Sequence, residues 1–96
     1  MFGRRRRGEA PAAGRTVTML GKEGCHLCAE ALAVIERVTA EVGAAYEVRD
    51  LADATQEERD DYWDKVPVVF VDGEQHDFWR VDADRLRAAL TGRVRR

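Results

Sequence analysis

The sequence contains only two cysteines, and this small number limits the kind of protein it can be. A small secreted domain that is held together by disulfides normally has four or more cysteines. A closed zinc site needs four ligands, and the only other soft ligands in the chain are His26 and His76. The cysteine count therefore favours a redox role for the pair.

The sequence also lacks a long hydrophobic run and a secretory signal. Its longest apolar run, residues 66–71, is far shorter than the roughly 18 residues of a membrane span. The arginines near the N-terminus are not followed by the apolar segment of a signal peptide. We therefore expect a soluble, cytoplasmic protein with no membrane partner.

The net charge of −2 hides an uneven distribution of charges along the chain. Residues 1–15 carry a net charge of +4 without hydrophobic periodicity, which predicts a disordered basic tail, and residues 93–96 form a second basic tail. Residues 16–92 carry a net charge of −9 and are long enough for one domain. An acidic body would repel phosphates, so we expect no nucleic-acid partner.

Hydrophobic periodicity predicts an α/β domain in the order β-α-β-α-β-β-α. The predicted elements are a strand from Thr16, a helix over 26–42, a strand over 45–51, a short acidic helix capped by Thr55 and ending near Tyr62 and Trp63, a strand over 66–71, a strand over 75–80 and a helix capped by Asp82. The first two strands and the helix between them form a βαβ unit with parallel strands. In the second strand, the apolar members are Tyr46, Val48 and Leu51. One mixed sheet with flanking helices accommodates this order.

Cys25 and Cys28 form a CxxC motif at the start of the first predicted helix. Two sulfurs at this spacing on a first helical turn can approach to disulfide distance. Free backbone N–H groups and the helix dipole stabilise an anion there, which lowers the pKa of the Cys25 thiol. Cys25 is therefore the predicted nucleophile and Cys28 the resolving thiol. Two alternatives stay open, namely a metal or iron–sulfur site shared between two chains and an interaction domain that has lost its redox activity.

Val66-Pro67 opens an apolar strand, where proline cannot supply a ladder N–H group. Such a position suits a strand start or a special turn, and it is where a cis proline is expected. An ordinary trans proline at the strand edge is the alternative.

Over residues 16–91 the chain resembles the glutaredoxin-like branch of the thioredoxin superfamily. The resemblance rests on two motifs, Lys22-Glu23-Gly24-Cys25-His26-Leu27-Cys28 and Val66-Pro67-Val68-Val69-Phe70-Val71-Asp72-Gly73, and on the terminal helix. It implies a thioredoxin-like fold with a central four-stranded mixed sheet and a thiol–disulfide oxidoreductase activity.

The resemblance also implies roles for individual residues. Cys25 would attack, Cys28 would resolve, and Pro67 would be cis beside the disulfide. The backbone of Val66 would pair with the substrate, and Lys22 would contact the carboxylate of a thiol tripeptide. These five residues are the predicted catalytic and substrate-binding residues, and no metal ligand is predicted.

One stretch departs from the family pattern. Glutaredoxins that use glutathione carry a Gly-Gly pair and an Asp after the fourth strand, whereas this chain has His76-Asp77-Phe78-Trp79-Arg80-Val81-Asp82. Bulky residues would obstruct the close approach of glutathione, so we predict weak glutathione use. The overall expectation is a monomeric enzyme without a cofactor, whose partner is a disulfide-containing protein or a low-molecular-weight thiol.

Overall fold

The computed structural model describes residues 14–92, and its elements follow the predicted order β-α-β-α-β-β-α. The elements are β1 (Thr16–Gly21), α1 (His26–Val42), β2 (Ala45–Asp50), α2 (Gln56–Tyr62), β3 (Val68–Val71), β4 (Glu74–Phe78) and α3 (Ala83–Thr91), with one 3-10 turn at Leu51–Asp53. Residues 1–13 of the predicted N-terminal tail, and the whole predicted tail at residues 93–96, lie outside the described residues.

The four strands form one mixed sheet in the order β2-β1-β3-β4. β1 and β2 are parallel, as the βαβ pattern predicts, and β3 is antiparallel to both of its neighbours. Asp72 and Gly73 form the hairpin turn that joins β3 to β4, with positive φ angles of 52° and 88°. The mixed four-stranded sheet expected from the sequence is therefore present.

Two element boundaries differ from the prediction. β3 begins at Val68 rather than at Val66, because Pro67 has no N–H group to donate to the ladder. β4 ends at Phe78 rather than near residue 80, because Trp79 adopts a left-handed backbone with φ 69°. The second helix spans Gln56–Tyr62, as predicted, and the side chain of its Thr55 cap forms a capping box with Glu58.

The helices cover the two faces of the sheet unequally. Met19 and Gly21 face α1, and the alternate residues Thr18 and Phe70 face the side of α2. α1 and α3 contact each other on the first face. The largest fully buried side chains come from the two central strands and from these two helices: Val17, Leu20, Ile35, Val38, Val68, Val69, Leu86 and Leu90. The core thus anchors β1 and α1, the two elements that flank the CxxC motif.

The two ends of the described chain are tied to this core. The Arg15 guanidinium donates a hydrogen bond of 3.0 Å to the carbonyl of Ala89 and lies 3.5 Å from the Asp72 carboxylate. The structure therefore places Arg15 with the domain rather than with the predicted tail.

None of the helices within residues 14–92 combines the length and the apolar character needed to cross a membrane.

Candidate redox site

Cys25 and Cys28 are joined by a disulfide, with their Cα atoms 5.2 Å apart. Cys25 is the N-cap of α1, and its backbone is extended, with φ −91° and ψ 111°. Its sulfur accepts a hydrogen bond of 3.1 Å from the backbone N–H of Cys28. Free N–H groups at a helix start stabilise a negative charge, so the same geometry would favour a thiolate at Cys25 after reduction.

The two sulfurs differ in how far solvent can reach them. Cys28 keeps only 6% of its surface exposed and belongs to the hydrophobic core, whereas Cys25 is half-buried at its edge. An external disulfide therefore meets Cys25 first, while Cys28 can reach only a sulfur already attached to its neighbour.

Gly21 at the end of β1 allows the buried sulfur to lie against the sheet. A Cβ atom at this position would lie 3.1 Å from Cys28 Sγ and 3.3 Å from the Met19 methyl group. Both distances are tighter than ordinary van der Waals contacts, so a side chain here would push against the disulfide. The sequence alone does not reveal this contact between Gly21 and the buried sulfur. The available signal was the position of Gly21, four residues before the first cysteine.

Pro67 lies at the same end of the sheet as the disulfide. The antiparallel register pairs Leu20 with Val68, and one step further it brings Pro67 opposite Gly21. Pro67 is fully buried, and the Val66–Pro67 peptide bond is cis.

Val66 precedes the ladder of β3 and is itself buried, with 7% of its surface exposed. Neither its N–H nor its C=O has a backbone hydrogen-bond partner among the residues that the structure describes. Buried backbone groups are nearly always paired in folded proteins. Val66 thus offers one donor and one acceptor beside the disulfide end of the sheet.

Lys22 is exposed and lines a shallow depression of about 460 Å³ together with both cysteines and His26. Of the five predicted site residues, Lys22, Cys25 and Cys28 therefore share one depression. The other two, Val66 and Pro67, lie at the same end of the sheet.

The stretch after β4 carries Trp79, and 51% of the surface of this residue is exposed. Its backbone N–H donates to the carbonyl of Pro67 at 2.8 Å, and its indole Nε1–H donates to the carbonyl of Asp64 at 3.0 Å. Trp79 is thereby fixed to the segment that carries Val66 and Pro67. The turn needed between the strand and the Asp82 cap was the only sign of this in the sequence.

A metal site of this chain alone is not seen in residues 14–92, where no three or more His, Cys, Asp or Glu side chains are grouped to hold an ion. The alternative of a metal held by both cysteines would thus need ligands from a second chain. The described geometry allows thiol–disulfide exchange at Cys25.

Comparisons with known proteins agree with this geometry. An uncharacterised protein of Mycobacterium tuberculosis is 32% identical over 78 residues, covering 77% of this chain and 80% of that protein. The solution structure of protein Ne2328 from Nitrosomonas europaea superimposes with a TM-score of 0.69 at 25% identity, covering 93% of this chain and 98% of that one. A thioredoxin from Malassezia sympodialis shares the fold, with a TM-score of 0.52 at 20% identity over 88% of this chain and 80% of that one.

The fold is therefore thioredoxin-like, as the resemblance implies. The model of the glutaredoxin-like domain (DUF836) matches residues 16–91, which include the CxxC motif, the Val66-Pro67 pair and all four strands. The chain belongs to this glutaredoxin-like family.

Proposed function

We propose that the protein is a thiol–disulfide oxidoreductase that reduces protein disulfides or mixed disulfides through Cys25 and Cys28. One observation carries the proposal, namely the unequal placement of the two sulfurs. Cys25 caps a helix and is partly exposed, whereas Cys28 is buried one turn further along. This is the arrangement that an attacking thiol and a resolving thiol need.

The reaction proceeds in two exchange steps from the reduced protein. The Cys25 thiolate attacks one sulfur of the substrate, the substrate S–S bond breaks, and the departing thiolate takes up a proton. The Cys28 thiol then loses its proton and attacks the Cys25 sulfur of the mixed disulfide. The Cys25–Cys28 bond forms and the second substrate thiolate leaves. The substrate gains two electrons, and the protein loses two.

The neighbouring residues supply groups that would hold a substrate during these steps. The unpaired N–H and C=O of Val66 can bond to an extended backbone, as an added strand does at a sheet edge. The ammonium group of Lys22 can attract a carboxylate near the reacting sulfur.

Another thiol must reduce the disulfide again after each cycle. A low-molecular-weight thiol or a dithiol reductase would supply the two electrons. We propose that glutathione is a poor reductant, because residues 76–82 carry bulky side chains and lack the Gly-Gly pair of glutathione-using relatives. In this proposal the protein acts as a monomer in the cytoplasm, where disulfides are transient.

The direct test is a single-turnover reaction between the reduced protein and hydroxyethyl disulfide. The proposal expects loss of two thiols per protein and formation of the Cys25–Cys28 disulfide, detected by mass spectrometry. A Cys25→Ser, Cys28→Ser double variant is the control and should not react. A protein that is purified with bound metal and leaves the disulfide intact would favour the shared metal site instead.

A further inference from the structure

Trp79 combines a constrained backbone with a fixed side chain. The Arg80 N–H donates to the carbonyl of Phe78 at 2.8 Å, which makes Trp79 the centre of a γ-turn with φ 69°. This conformation is rare and energetically unfavourable for a residue with a side chain. Such strain persists only where the surroundings impose it, and it is concentrated at functional sites.

The indole of Trp79 is held in place without being buried. Its Nε1–H bonds to the Asp64 carbonyl, and its ring contacts the Phe78 ring edge-on, with the centroids 5.0 Å apart. Half of the residue nevertheless stays exposed. An aromatic side chain that is both immobilised and exposed is typical of contact surfaces, because little side-chain entropy is lost on binding.

A narrow cleft lies between this indole and α1. Its apolar walls are Leu27, Ala31 and Val34 from α1, together with Trp79 and Val81. Leu27 lies between the two cysteines in the chain, so one wall of the cleft belongs to the first turn of the helix that carries the disulfide. At the rim, the Arg80 guanidinium and the Glu30 carboxylate pair at 3.7 Å, which leaves the cleft without an uncompensated charge.

The size of the cleft decides what it can hold. Its volume is about 180 Å³, whereas pockets that enclose a small-molecule ligand usually measure about 300–1,000 Å³. It can accommodate one apolar side chain but not a tripeptide. The unpaired backbone of Val66 belongs to the segment that bonds to Trp79 at Asp64 and at Pro67. An extended peptide that bonds to Val66 therefore runs beside the cleft, where alternate side chains of the peptide give specificity.

We infer that Trp79 is a specificity-determining residue that selects protein disulfides with an apolar side chain next to the cysteine under attack. The side chain enters the cleft between Trp79 and Leu27 while Cys25 attacks the neighbouring sulfur. The inference rests on the function proposed above. It adds the substrate class, an extended protein segment, and the residue that recognises it.

The test uses two peptides, each with one cysteine linked through a disulfide to thionitrobenzoate. One peptide has leucine on both sides of the cysteine, and the other has alanine. The Cys25 thiolate of the reduced protein attacks the peptide sulfur and releases coloured thionitrobenzoate. Cys28 then closes the protein disulfide and releases the peptide thiol. The measured quantity is the single-turnover rate with the leucine peptide divided by the rate with the alanine peptide.

The variants are Trp79→Gly, in which glycine tolerates the positive φ, and Trp63→Ala as the matched control.

The expected ratio for the full-length protein is about tenfold, the factor that partial burial of a leucine side chain supplies. The ratio should fall to about one in Trp79→Gly and stay unchanged in Trp63→Ala, since Trp63 is 63% exposed and does not line the cleft. Leu27→Ala, which removes the opposite wall, should lower the ratio as well.

A ratio near one in the unaltered protein, or a ratio that survives in Trp79→Gly, would overturn the inference. The reaction with hydroxyethyl disulfide separates this failure from failure of the proposed function. If the protein reduces hydroxyethyl disulfide but reacts with the leucine and alanine peptides at equal rates, only the role of Trp79 is refuted. A protein that reduces neither peptide nor hydroxyethyl disulfide refutes both.

Discussion

The two ends of β4 carry the two residues other than glycine that have a positive φ within residues 14–92, and these residues serve different purposes. Asp72, before the strand, has its side chain occupied, since its carboxylate accepts from the Thr16 N–H at 2.9 Å and pairs with Arg15. Trp79, after the strand, also has its one polar group bonded, but its large apolar ring is left half exposed.

Asp72 and Trp79 thus show two different uses of a positive φ, a backbone conformation that is energetically unfavourable for residues other than glycine. At the hairpin end, the left-handed residue closes a tight turn, and its side chain stabilises the start of β1. At the redox end, the turn places an aromatic ring beside the segment of Val66 and Pro67. Because half of the ring's residue is exposed there, it contributes little to the stability of the fold. A polar side chain whose oxygens are bonded within the domain indicates a structural role, whereas a large apolar ring that is fixed and yet exposed indicates a surface for another molecule.

The largest expected effect lies at the redox end. Cys25→Ser should abolish disulfide reduction, because no other accessible sulfur can attack the substrate. Cys28→Ser should keep the first exchange step and accumulate a mixed disulfide, since only the resolving sulfur is lost. Thiol release and mass spectrometry of both variants measure this. Equal residual activity in the two variants would contradict the assigned roles.

Gly21→Ala should be the next largest change, because the new Cβ atom would meet Cys28 Sγ at 3.1 Å. Crowding of this kind lowers the free energy of unfolding by about 1–3 kcal/mol. The matched control at the hairpin end is Gly73→Ala, where the space is open and only the positive φ of 88° is unfavourable.

Denaturant unfolding of the oxidised and the reduced protein distinguishes these two causes. The loss in Gly21→Ala should differ between the two redox states, because the crowded atom is the Cys28 sulfur. The loss in Gly73→Ala should be the same in both. Equal losses for Gly21→Ala in the two states would show that its side chain is accommodated without touching the disulfide.

Asp72→Ala should affect stability alone. It removes the acceptor of the Thr16 N–H and places a Cβ-bearing residue without a polar side chain at a positive φ, so the free energy of unfolding should fall by about 1–2 kcal/mol. The rate ratio for the leucine and alanine peptides should not change. A changed ratio would mean that the hairpin end also shapes the substrate site.

The smallest expected effect is the pH dependence that His76 contributes. Burial, followed by the positive charge of Arg85, lowers the pKa of His76, and the Asp77 carboxylate opposes this only in part. Because the folded protein binds the proton less readily than the unfolded chain, protonation favours unfolding. The stability contributed by neutral His76 is present above the ordinary value of about 6.5 and is lost as the pH falls towards the lowered pKa.

His76→Gln should therefore flatten the decline in the free energy of unfolding as the pH falls below about 6.5. Denaturant unfolding at several pH values measures the slope. An unchanged slope would mean that other groups carry the acid sensitivity of the domain.

The order of the elements was predictable because it depends on local patterns. The 26–42 helix ends at Gly43 as expected, since the cap has the left-handed φ of 81° that glycine tolerates. The CxxC motif at the start of that helix was equally visible. These features need only the residues themselves and their spacing.

Features that depend on tertiary neighbours were not predictable in the same way. Tyr46 and Val48 read as apolar members of a strand, yet they are 41% and 51% exposed, because β2 lies at the edge of the sheet. Gly21 became important only when β1 was packed against Cys28. The position of Trp79 likewise follows from its bonds to Asp64 and Pro67, which lie more than ten residues away in the chain.

The central claim is that Cys25 is the activated sulfur and Cys28 the protected one. The most direct measurement is the alkylation of the fully reduced protein by iodoacetamide over a range of pH, with each cysteine followed by peptide mass spectrometry. The account predicts that Cys25 reacts first, with a midpoint below that of an ordinary thiol, because the helix start stabilises its thiolate. A Cys28 that is labelled first, or at lower pH than Cys25, would contradict it.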